Sequence, residues 1–476
     1  MFINLIDERY IYLSLFKLIL RHKKTLINGS VLKDIMIKSV IKTEPKVGDV
    51  VLVVTKTSSE QGILMPSPDK NVILIKLKSG YNIGFEKEFV TKIKVVEKVS
   101  EFEKMNIVSE QVIIKNKKLP TIAILHTGGT IASKVDYRTG GVVASITPEE
   151  LVGQFPELRE VANIESELIS KMWSDDLRFA HFTLIAKAIE KYVKKGVRGI
   201  IVGMGTDNLA VATAALAFIV ENPPIPIIFV GSQRSSDRGS ADSAMNIICA
   251  TKFIVQSDYA GVALCMHEFE DDTSGIILPA TKTYKLHSSR RDAFKPINTS
   301  AVARIDYNSG KVEMLSSHYL KRDVGQLIIR SKMEEKVGLL KIHVNMTPQQ
   351  FSFFSGYKGL IIEGTGLGHT PGQIPNELCA IHKKIYPALK KVIDSGCVVV
   401  MTTQCLFGSV NMNVYDKGRD LLGIGVLPGH DMLANTALVK LSWLLGNYKS
   451  DDVKKLIGEN LRGEISEKIS YDKKFV

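Results

Sequence analysis

The sequence has few of the features that would place it among disulfide-rich, zinc-binding or membrane-spanning proteins. It contains five cysteines in 476 residues, which are widely spaced and include no CxxC pair. An odd number of scattered thiols argues against a disulfide framework or a zinc site and predicts a protein of the reducing cytoplasm. The apolar run at residues 10–20 is broken by Lys17 and falls short of the ~20 residues that span a bilayer. We therefore expect no membrane span.

The excess of positive charge is concentrated in the first quarter of the chain. The formal net charge is +12, and residues 1–118 hold 21 basic and 13 acidic residues, which is +8 of that total. A basic region can attract a polyanion such as tRNA through phosphate contacts, but a lysine-rich solvated surface explains the same count. Hydrophobic content of 45% and charged content of 24% are typical of a folded protein. The length predicts two to four domains.

Changes in sequence pattern divide the chain into five segments. Residues 1–44 form an amphipathic N-terminal extension, or lie partly upstream of a true start near Met36. Residues 45–100 show short alternating runs that predict a small β-barrel domain of about five antiparallel strands, and 101–118 form a linker. In residues 119–325, β-branched runs alternate with helical patterns, which predicts an α/β domain with a doubly wound parallel sheet. A smaller α/β domain occupies residues 335–476.

Three short motifs lie near the ends of predicted strands, where open α/β sheets bind their ligands. They are HTGGTIA at 126–132, GTD at 205–207 and KTYKLHSSRRDAF at 282–294. Glycines in the first motif allow a tight turn, and the hydroxyl of Thr130 is a candidate nucleophile. If Thr206, Asp207 and Lys285 converge, they would form a proton relay. Taken singly, Thr206 and Asp207 also fit helix caps, and Lys285 fits a surface residue.

Together these motifs resemble the asparaginase/glutaminase family over roughly residues 119–448. The resemblance is closer still to the archaeal-type D-subunit family of glutamyl-tRNA(Gln) amidotransferases. It is carried by VDYRTGGV (135–142), GSQRSSDR (231–238), KLHSSRRDAF (285–294), EGTGLGH (363–369) and the small barrel ahead of the asparaginase-like region. The resemblance implies an asparaginase-like two-domain fold and a glutaminase subunit that supplies ammonia to a partner.

The resemblance also implies the catalytic residues. Thr130 is the nucleophile, and Tyr137, in the loop that follows, polarises or deprotonates it. A second cluster activates and orients the reacting groups, and it consists of Thr206, Asp207 and Lys285. For the mechanism, we expect backbone N–H groups of the Gly-rich turn to hold the oxyanion.

Substrate-binding positions follow from the same resemblance. Ser174 and Asp175 hold the α-carboxylate and α-amino groups of the substrate, and Gly129 is included with them as a substrate-binding residue. An alternative for Ser174 and Asp175 is that they cap a helix starting near Leu177.

The chain departs from the family pattern His-Gly-Thr-Asp-Thr at two positions. It has Met204 and Asn208 where the pattern has histidine and the second threonine. Thr206 and Asp207 are kept, so we expect altered packing beneath the site rather than loss of activity.

Partners and cofactors are likewise expectations from the resemblance. This subunit needs no metal or organic cofactor, whereas an E-type partner subunit uses ATP and Mg²⁺ to convert Glu-tRNA(Gln) into Gln-tRNA(Gln). A homodimer within a heterotetramer is expected because a neighbouring protomer completes asparaginase sites, with EGTGLGH as the candidate bordering segment. Two alternatives are a free-standing L-asparaginase, against which the N-terminal barrel argues, and a non-catalytic RNA-binding scaffold, against which the retained catalytic residues argue.

Overall fold

The computed structural model describes residues 45–65, 67, 71–77, 82–98, 116–129, 133–135, 142–144, 158–234 and 241–469. The predicted extension at residues 1–44, most of the predicted linker, Thr130 and Tyr137 therefore lie outside the described residues. In the described ranges, no helix has the length and apolar character needed to cross a membrane.

The N-terminal domain is a small antiparallel sheet. Its strands are β1 (Val50–Thr55), β2 (Ser59–Met65), β3 (Val72–Lys76), β4 (Asn82–Glu86) and β5 (Val90–Glu97). They are arranged in the order β4-β3-β2-β1-β5. Val51, Val53, Ile73 and Ile75 form its buried core, at every second position of β1 and β3, because side chains alternate between the two faces of a strand. The five antiparallel strands expected of the predicted small β-barrel domain are confirmed.

A nine-stranded mixed sheet with helices on both faces forms the middle of the chain. The elements of this region in chain order are β6 (Thr121–His126), β7 (Ser133–Val135), β8 (Val142–Ala144), α1 (Leu158–Val161), β9 (Asn163–Leu168), α2 (Phe179–Lys194), β10 (Ile200–Gly203), α3 (Leu209–Ile219), β11 (Val220–Glu221), β12 (Pro226–Val230), α4 (Ser243–Gln256), β13 (Tyr259–His267), β14 (Ser274–Pro279), β15 (Thr283–Lys285), β16 (Phe294–Pro296), β17 (Ala303–Asp306), β18 (Val312–Met314), β19 (Leu320–Lys321) and β20 (Ile328–Ile329). The sheet order is β18-β17-β14-β13-β12-β10-β6-β9, with β19 paired to β13.

Both faces of the parallel part of this sheet are buried. Successive residues of one strand enter different cores: Ile200 packs in the cluster that contains α2 and α3, whereas Ile201 packs in the cluster that contains α1 and α4. Burial on two faces explains why these strands read as continuous apolar runs rather than alternating ones. The predicted α/β class and doubly wound arrangement are confirmed.

The sheet continues beyond β13 with three antiparallel strands, which the sequence pattern did not predict. β14, β17 and β18 each pair antiparallel to their neighbour. Only six residues separate β13 from β14, and a parallel connection needs a crossover of about a dozen residues or more. The short connection therefore forces the chain to reverse direction.

The C-terminal domain is a four-stranded parallel sheet with helices. Its elements are β21 (Val337–Lys341), α5 (Pro348–Ser352), β22 (Gly359–Gly364), α6 (Ile385–Asp394), β23 (Val398–Thr403), α7 (Asp416–Gly423), β24 (Leu427–Pro428), α8 (Ala434–Asn447) and α9 (Ser450–Leu456). Helix α8 packs back onto α3, where Phe218 and Trp443 stack with ring centroids 5.7 Å apart. The indole of Trp443 also donates a hydrogen bond to the Arg330 carbonyl at 2.9 Å. The two α/β domains thus share one apolar core.

Candidate active site

The candidate site lies at the point where the order of the parallel strands reverses. β6 lies between β9 and β10, so the chain leaves β6 toward one side of the sheet and leaves β10 toward the other. A crevice forms at such a switch point, beyond the carboxyl ends of the strands. The turns after β6 and β10 are the first two motifs found in the sequence.

These two turns touch backbone to backbone. Gly129 has a φ of +76°, and a Cβ at this position would lie 2.3 Å from the Gly205 nitrogen. Neither the left-handed conformation nor the contact tolerates a side chain. The glycines of the turn therefore bring the residue before Thr130 against the residue before Thr206.

Lys285, Thr206 and Asp207 converge at this crevice. Lys285 Nζ lies 2.9 Å from Thr206 Oγ1 and 2.9 Å from Asp207 Oδ1. Thr206 is buried, whereas the Asp207 side chain is 70% exposed and that of Lys285 is 16% exposed. The cluster thus joins a hydroxyl, an ammonium and a carboxylate at an opening, which is the geometry that proton transfer requires.

Gln233 extends this cluster and was not singled out from the sequence. The Thr206 hydroxyl accepts from Lys285 and donates to Gln233 Oε1 at 3.1 Å. The turn that presents Gln233 is fixed by the buried carboxylate of Asp242, which accepts from Ser232 Oγ and the backbone nitrogens of Gln233 and Arg234. The sequence feature that could have identified Gln233 is its place in the GSQRSSDR motif, three residues after the end of β12.

Ser174 and Asp175 lie on a separate short turn beside the crevice. They belong to a 3-10 turn, Ser174–Asp176, and Ser174 is buried while Asp175 is exposed. Helix α2 begins only at Phe179, and His181 Nδ1 accepts from the Arg178 nitrogen at its start. The alternative in which Ser174 and Asp175 cap this helix is wrong.

The Ser174 turn packs tightly against the turn after β10. A Cβ on Gly205 would lie 2.8 Å from Ser174 Oγ. Asn208 Nδ2 donates to the Ser174 carbonyl at 2.8 Å. Met204, the other departure from the family pattern, is fully buried in the core beneath the turn.

Lys285 is presented by a hairpin that is held at both ends. β15 and β16 pair antiparallel, with Lys285 opposite the buried Phe294. At the tip of the hairpin, the Arg290 guanidinium donates two hydrogen bonds to Asp292 and holds the pKa of that carboxyl below its usual value. At its base, Lys282 pairs with Asp431 of the C-terminal domain.

The segment EGTGLGH leads from the end of β22 into a closed turn, in which Thr365 and His369 form a β-bridge. Glu363 lines a cavity of about 160 Å³ together with Tyr284, which precedes Lys285. One end of this segment therefore faces the base of the lysine hairpin within the same chain.

Comparisons with known proteins show which family the chain belongs to. Family models match in three places: the GatD N-terminal domain at residues 45–96, the asparaginase N-terminal domain at 121–319 and the glutaminase/asparaginase C-terminal domain at 336–456. The D subunit of glutamyl-tRNA(Gln) amidotransferase from Pyrococcus furiosus is 42% identical over 431 residues, covering 88% of this chain and 95% of that protein. The chain belongs to the D-subunit family of glutamyl-tRNA(Gln) amidotransferases. It is thus an amidotransferase subunit with an asparaginase-type fold.

Other relatives support the membership in this D-subunit family. The corresponding D subunit from Methanococcus maripaludis is 39% identical and covers 90% of this chain and 99% of that protein. Among solved structures, the thermostable L-asparaginase from Thermococcus kodakarensis matches with a TM-score of 0.64 and 26% identity, over 73% of this chain and 100% of that chain. L-asparaginase I from Vibrio cholerae gives a TM-score of 0.63 at 25% identity, over 73% of this chain and 99% of that chain. The predicted family is confirmed, while the roles of individual site residues stay predictions.

Proposed function

We propose that this chain hydrolyses glutamine with Thr130 as nucleophile and delivers the ammonia to a partner subunit that amidates Glu-tRNA(Gln). The observation that carries the proposal is the cluster of Lys285, Thr206 and Asp207. It follows Gly205, which lies against Gly129, the residue before Thr130 in the sequence. Membership in the D-subunit family supports the amidotransferase half.

The Thr130 oxygen attacks the side-chain amide carbon of glutamine while Tyr137 polarises or deprotonates the Thr130 hydroxyl. The oxyanion accepts hydrogen bonds from backbone N–H groups of the Gly-rich turn, each worth about 3–4 kcal/mol. The proton passes to the leaving nitrogen, ammonia departs, and a threonyl ester remains. Water then attacks the ester and releases glutamate. No metal or organic cofactor takes part in this half of the reaction.

The second cluster activates and orients the reacting groups. A hydroxyl that accepts from Lys285 and donates to Gln233 is fixed in orientation, which supports a role for Thr206 in orienting the reacting groups. Asp207 Oδ1 lies 2.9 Å from Lys285 Nζ, so the carboxylate balances the positive charge of the lysine. The lysine can therefore lie beside the reacting groups as one member of an ion pair.

Substrate specificity rests on the neighbouring turn. The Ser174 hydroxyl can donate a hydrogen bond to the α-carboxylate of an amino-acid amide, and the exposed carboxylate of Asp175 can accept one from the α-ammonium group. Hydrogen bonds to charged groups are stronger than neutral ones. Gly129 lets the substrate approach the backbone of the first turn.

The partner is an E-type subunit that holds ATP and Mg²⁺ and converts Glu-tRNA(Gln) into Gln-tRNA(Gln). A homodimer of this chain, flanked by two partner subunits in a cytoplasmic heterotetramer, is the assembly we propose. The N-terminal domain supports this assignment over a free-standing L-asparaginase, because residues 45–96 match a domain named for this kind of subunit.

The test is glutaminase and asparaginase activity of the wild-type chain and its Thr130→Ala variant, with and without the partner subunit and Glu-tRNA(Gln). We expect glutaminase activity that rises with partner and tRNA and is lost in the variant. Thr183→Ala is a matched control, since Thr183 on α2 donates only to the Ser331 carbonyl at 3.1 Å in the described part of the chain.

Other outcomes of this test favour other functions. Full asparaginase activity without partner or tRNA would favour a free-standing asparaginase. Inactivity in every mixture would favour a non-catalytic scaffold. Glutaminase activity that survives in Thr130→Ala would leave the amidotransferase assignment intact but remove Thr130 from it.

A further inference from the structure

We propose that Asn208 is a positioning residue that holds the Ser174 turn in place and thereby sets the affinity for the α-groups of the substrate. This inference rests on the proposed function, in which Ser174 and Asp175 bind those groups. It concerns one of the two positions at which the sequence differs from the expected family pattern.

The side chain of Asn208 does not do what its position in the helix predicts. Asn208 is the residue from which α3 starts, and an asparagine there usually accepts a hydrogen bond from a backbone N–H of the first turn. In this chain that cap bond is not made. Nδ2 instead donates to the Ser174 carbonyl, 34 residues away in sequence, at 2.8 Å. The amide is used for a tertiary contact between two turns of the candidate site.

The backbone of Asn208 makes a second contact with the same residue. Its N–H donates to Ser174 Oγ at 3.4 Å, which is a long hydrogen bond. In this contact the Ser174 hydroxyl is an acceptor, so its own hydrogen can be donated to a ligand. A carboxylate is the natural acceptor for such a hydrogen because a hydrogen bond to a charged oxygen is about twice as strong as a neutral one.

The contact of Gly205 with Ser174 and the hydrogen bond from Asn208 together fix the distance between the Ser174 turn and the turn after β10. On one side Gly205 leaves no space for a Cβ, which would lie 2.8 Å from Ser174 Oγ. On the other side the Asn208 amide ties the Ser174 carbonyl to the start of α3. Thr206 and Asp207 lie between Gly205 and Asn208, so the turn that binds the α-groups is tied to both ends of the catalytic segment.

Asparagine suits this role better than the threonine of the family pattern. Its donor nitrogen is one bond further from the backbone than a threonine hydroxyl, so it can span the gap to the Ser174 carbonyl. Without the bond, the carbonyl would lose a partner and the Ser174 turn would be free to shift. The cost of one such bond corresponds to roughly a five- to tenfold change in binding.

The experiment measures kcat and KM for glutamine in the assembled complex with Glu-tRNA(Gln), for wild type, Asn208→Ala and Asn208→Thr. The dissociation constant of L-glutamate is measured by calorimetry on the same proteins. We expect KM and the L-glutamate dissociation constant to rise together by roughly five- to tenfold, with kcat within about twofold of wild type. If the alanine variant folds poorly, the same constants measured on Asn208→Thr test the inference.

Asn447→Ala is the matched control. Its Nδ2 also donates to backbone carbonyls, those of Lys332 and Trp443 at 2.8 Å, but it lies on α8 away from the crevice. We expect its KM to equal that of wild type. The inference is overturned if Asn208 variants lower kcat with KM unchanged, if neither constant moves, or if Asn447→Ala raises KM equally. An inactive wild-type complex would contradict the proposed function instead, and calorimetry with L-glutamate would still decide the role of Asn208.

Discussion

Two lysines three residues apart on the same hairpin show how one sequence segment supports both stability and chemistry. Lys282 and Asp431 form an ion pair whose side chains are 3% and 2% exposed. Lys285 and Asp207 form another, in which the lysine is 16% and the aspartate 70% exposed. The first pair joins the two α/β domains, and the second opens into the candidate site.

The difference follows from what each pair packs against. At the base of the hairpin, the Thr281 carbonyl accepts from Thr436 of α8 and the Thr281 hydroxyl donates to the Arg462 carbonyl. Both side chains are almost fully buried, so breaking the pair would leave a buried charge without its ionic partner. Around Asp207 water can replace a lost partner, which makes that pair weak in stability and free to change during a reaction.

The largest effect should come from Lys285→Met. We expect the glutaminase kcat of the complex to fall roughly 10²- to 10⁴-fold, because the group that contacts both Thr206 and Asp207 is removed. The free energy of unfolding should change by no more than about 1 kcal/mol, since an exposed carboxylate is rehydrated at little cost. Steady-state kinetics and chemical denaturation measure the two quantities. A large loss of stability with normal kcat would show that the pair of Lys285 and Asp207 is structural rather than catalytic.

Lys282→Met should show the opposite pattern. Removing one partner of a buried pair costs roughly 3–5 kcal/mol of the free energy of unfolding. The double variant Lys282→Met with Asp431→Asn should recover part of that loss, because no unpaired carboxylate remains buried. Denaturant titration of wild type, both single variants and the double variant gives the coupling between the two residues. Additive losses would show that the buried pair contributes nothing as a pair.

The pair between Glu268 and Arg304 provides an intermediate case, with side chains 11% and 40% exposed. Burial raises the pKa of Glu268, but hydrogen bonds from Arg304 and Ser274 and the nearby positive charges together hold it below its ordinary value of 4.5. A carboxyl with a lowered pKa in the folded state stabilises the protein above its unfolded pKa, and this contribution is lost as pH falls through the folded value.

The smallest effect is therefore a pH-dependent one. We expect Glu268→Gln to cost about 1 kcal/mol of stability near neutral pH and progressively less as the pH drops below the ordinary glutamate pKa. Thermal melts of both proteins across the acidic range test this. A difference that stays constant with pH would show that the glutamate contributes through packing rather than charge.

Much of the fold could be predicted because the parallel strands are buried on both faces. The apolar segments at 121–126, 226–230 and 359–364 are strands, and the motifs at 126–132 and 205–207 lie at the ends of strands as expected. The cluster of Thr206, Asp207 and Lys285 was expected from the resemblance to the asparaginase/glutaminase family, because the residues taken singly fitted other roles. What could not be predicted depends on contacts between distant segments. Lys282 and Asp431 lie 149 residues apart, and the bond from Asn208 to Ser174 joins two turns with no shared sequence signal.

The most direct test of the central claim is chemical labelling of the nucleophile. The assembled complex would be inactivated with a diazo-ketone analogue of glutamine, digested and mapped by mass spectrometry. We predict a single adduct on Thr130, prevented by excess glutamine and absent from Thr130→Ala. Inactivation with the adduct on another residue, such as Cys405 or Thr206, would contradict the account.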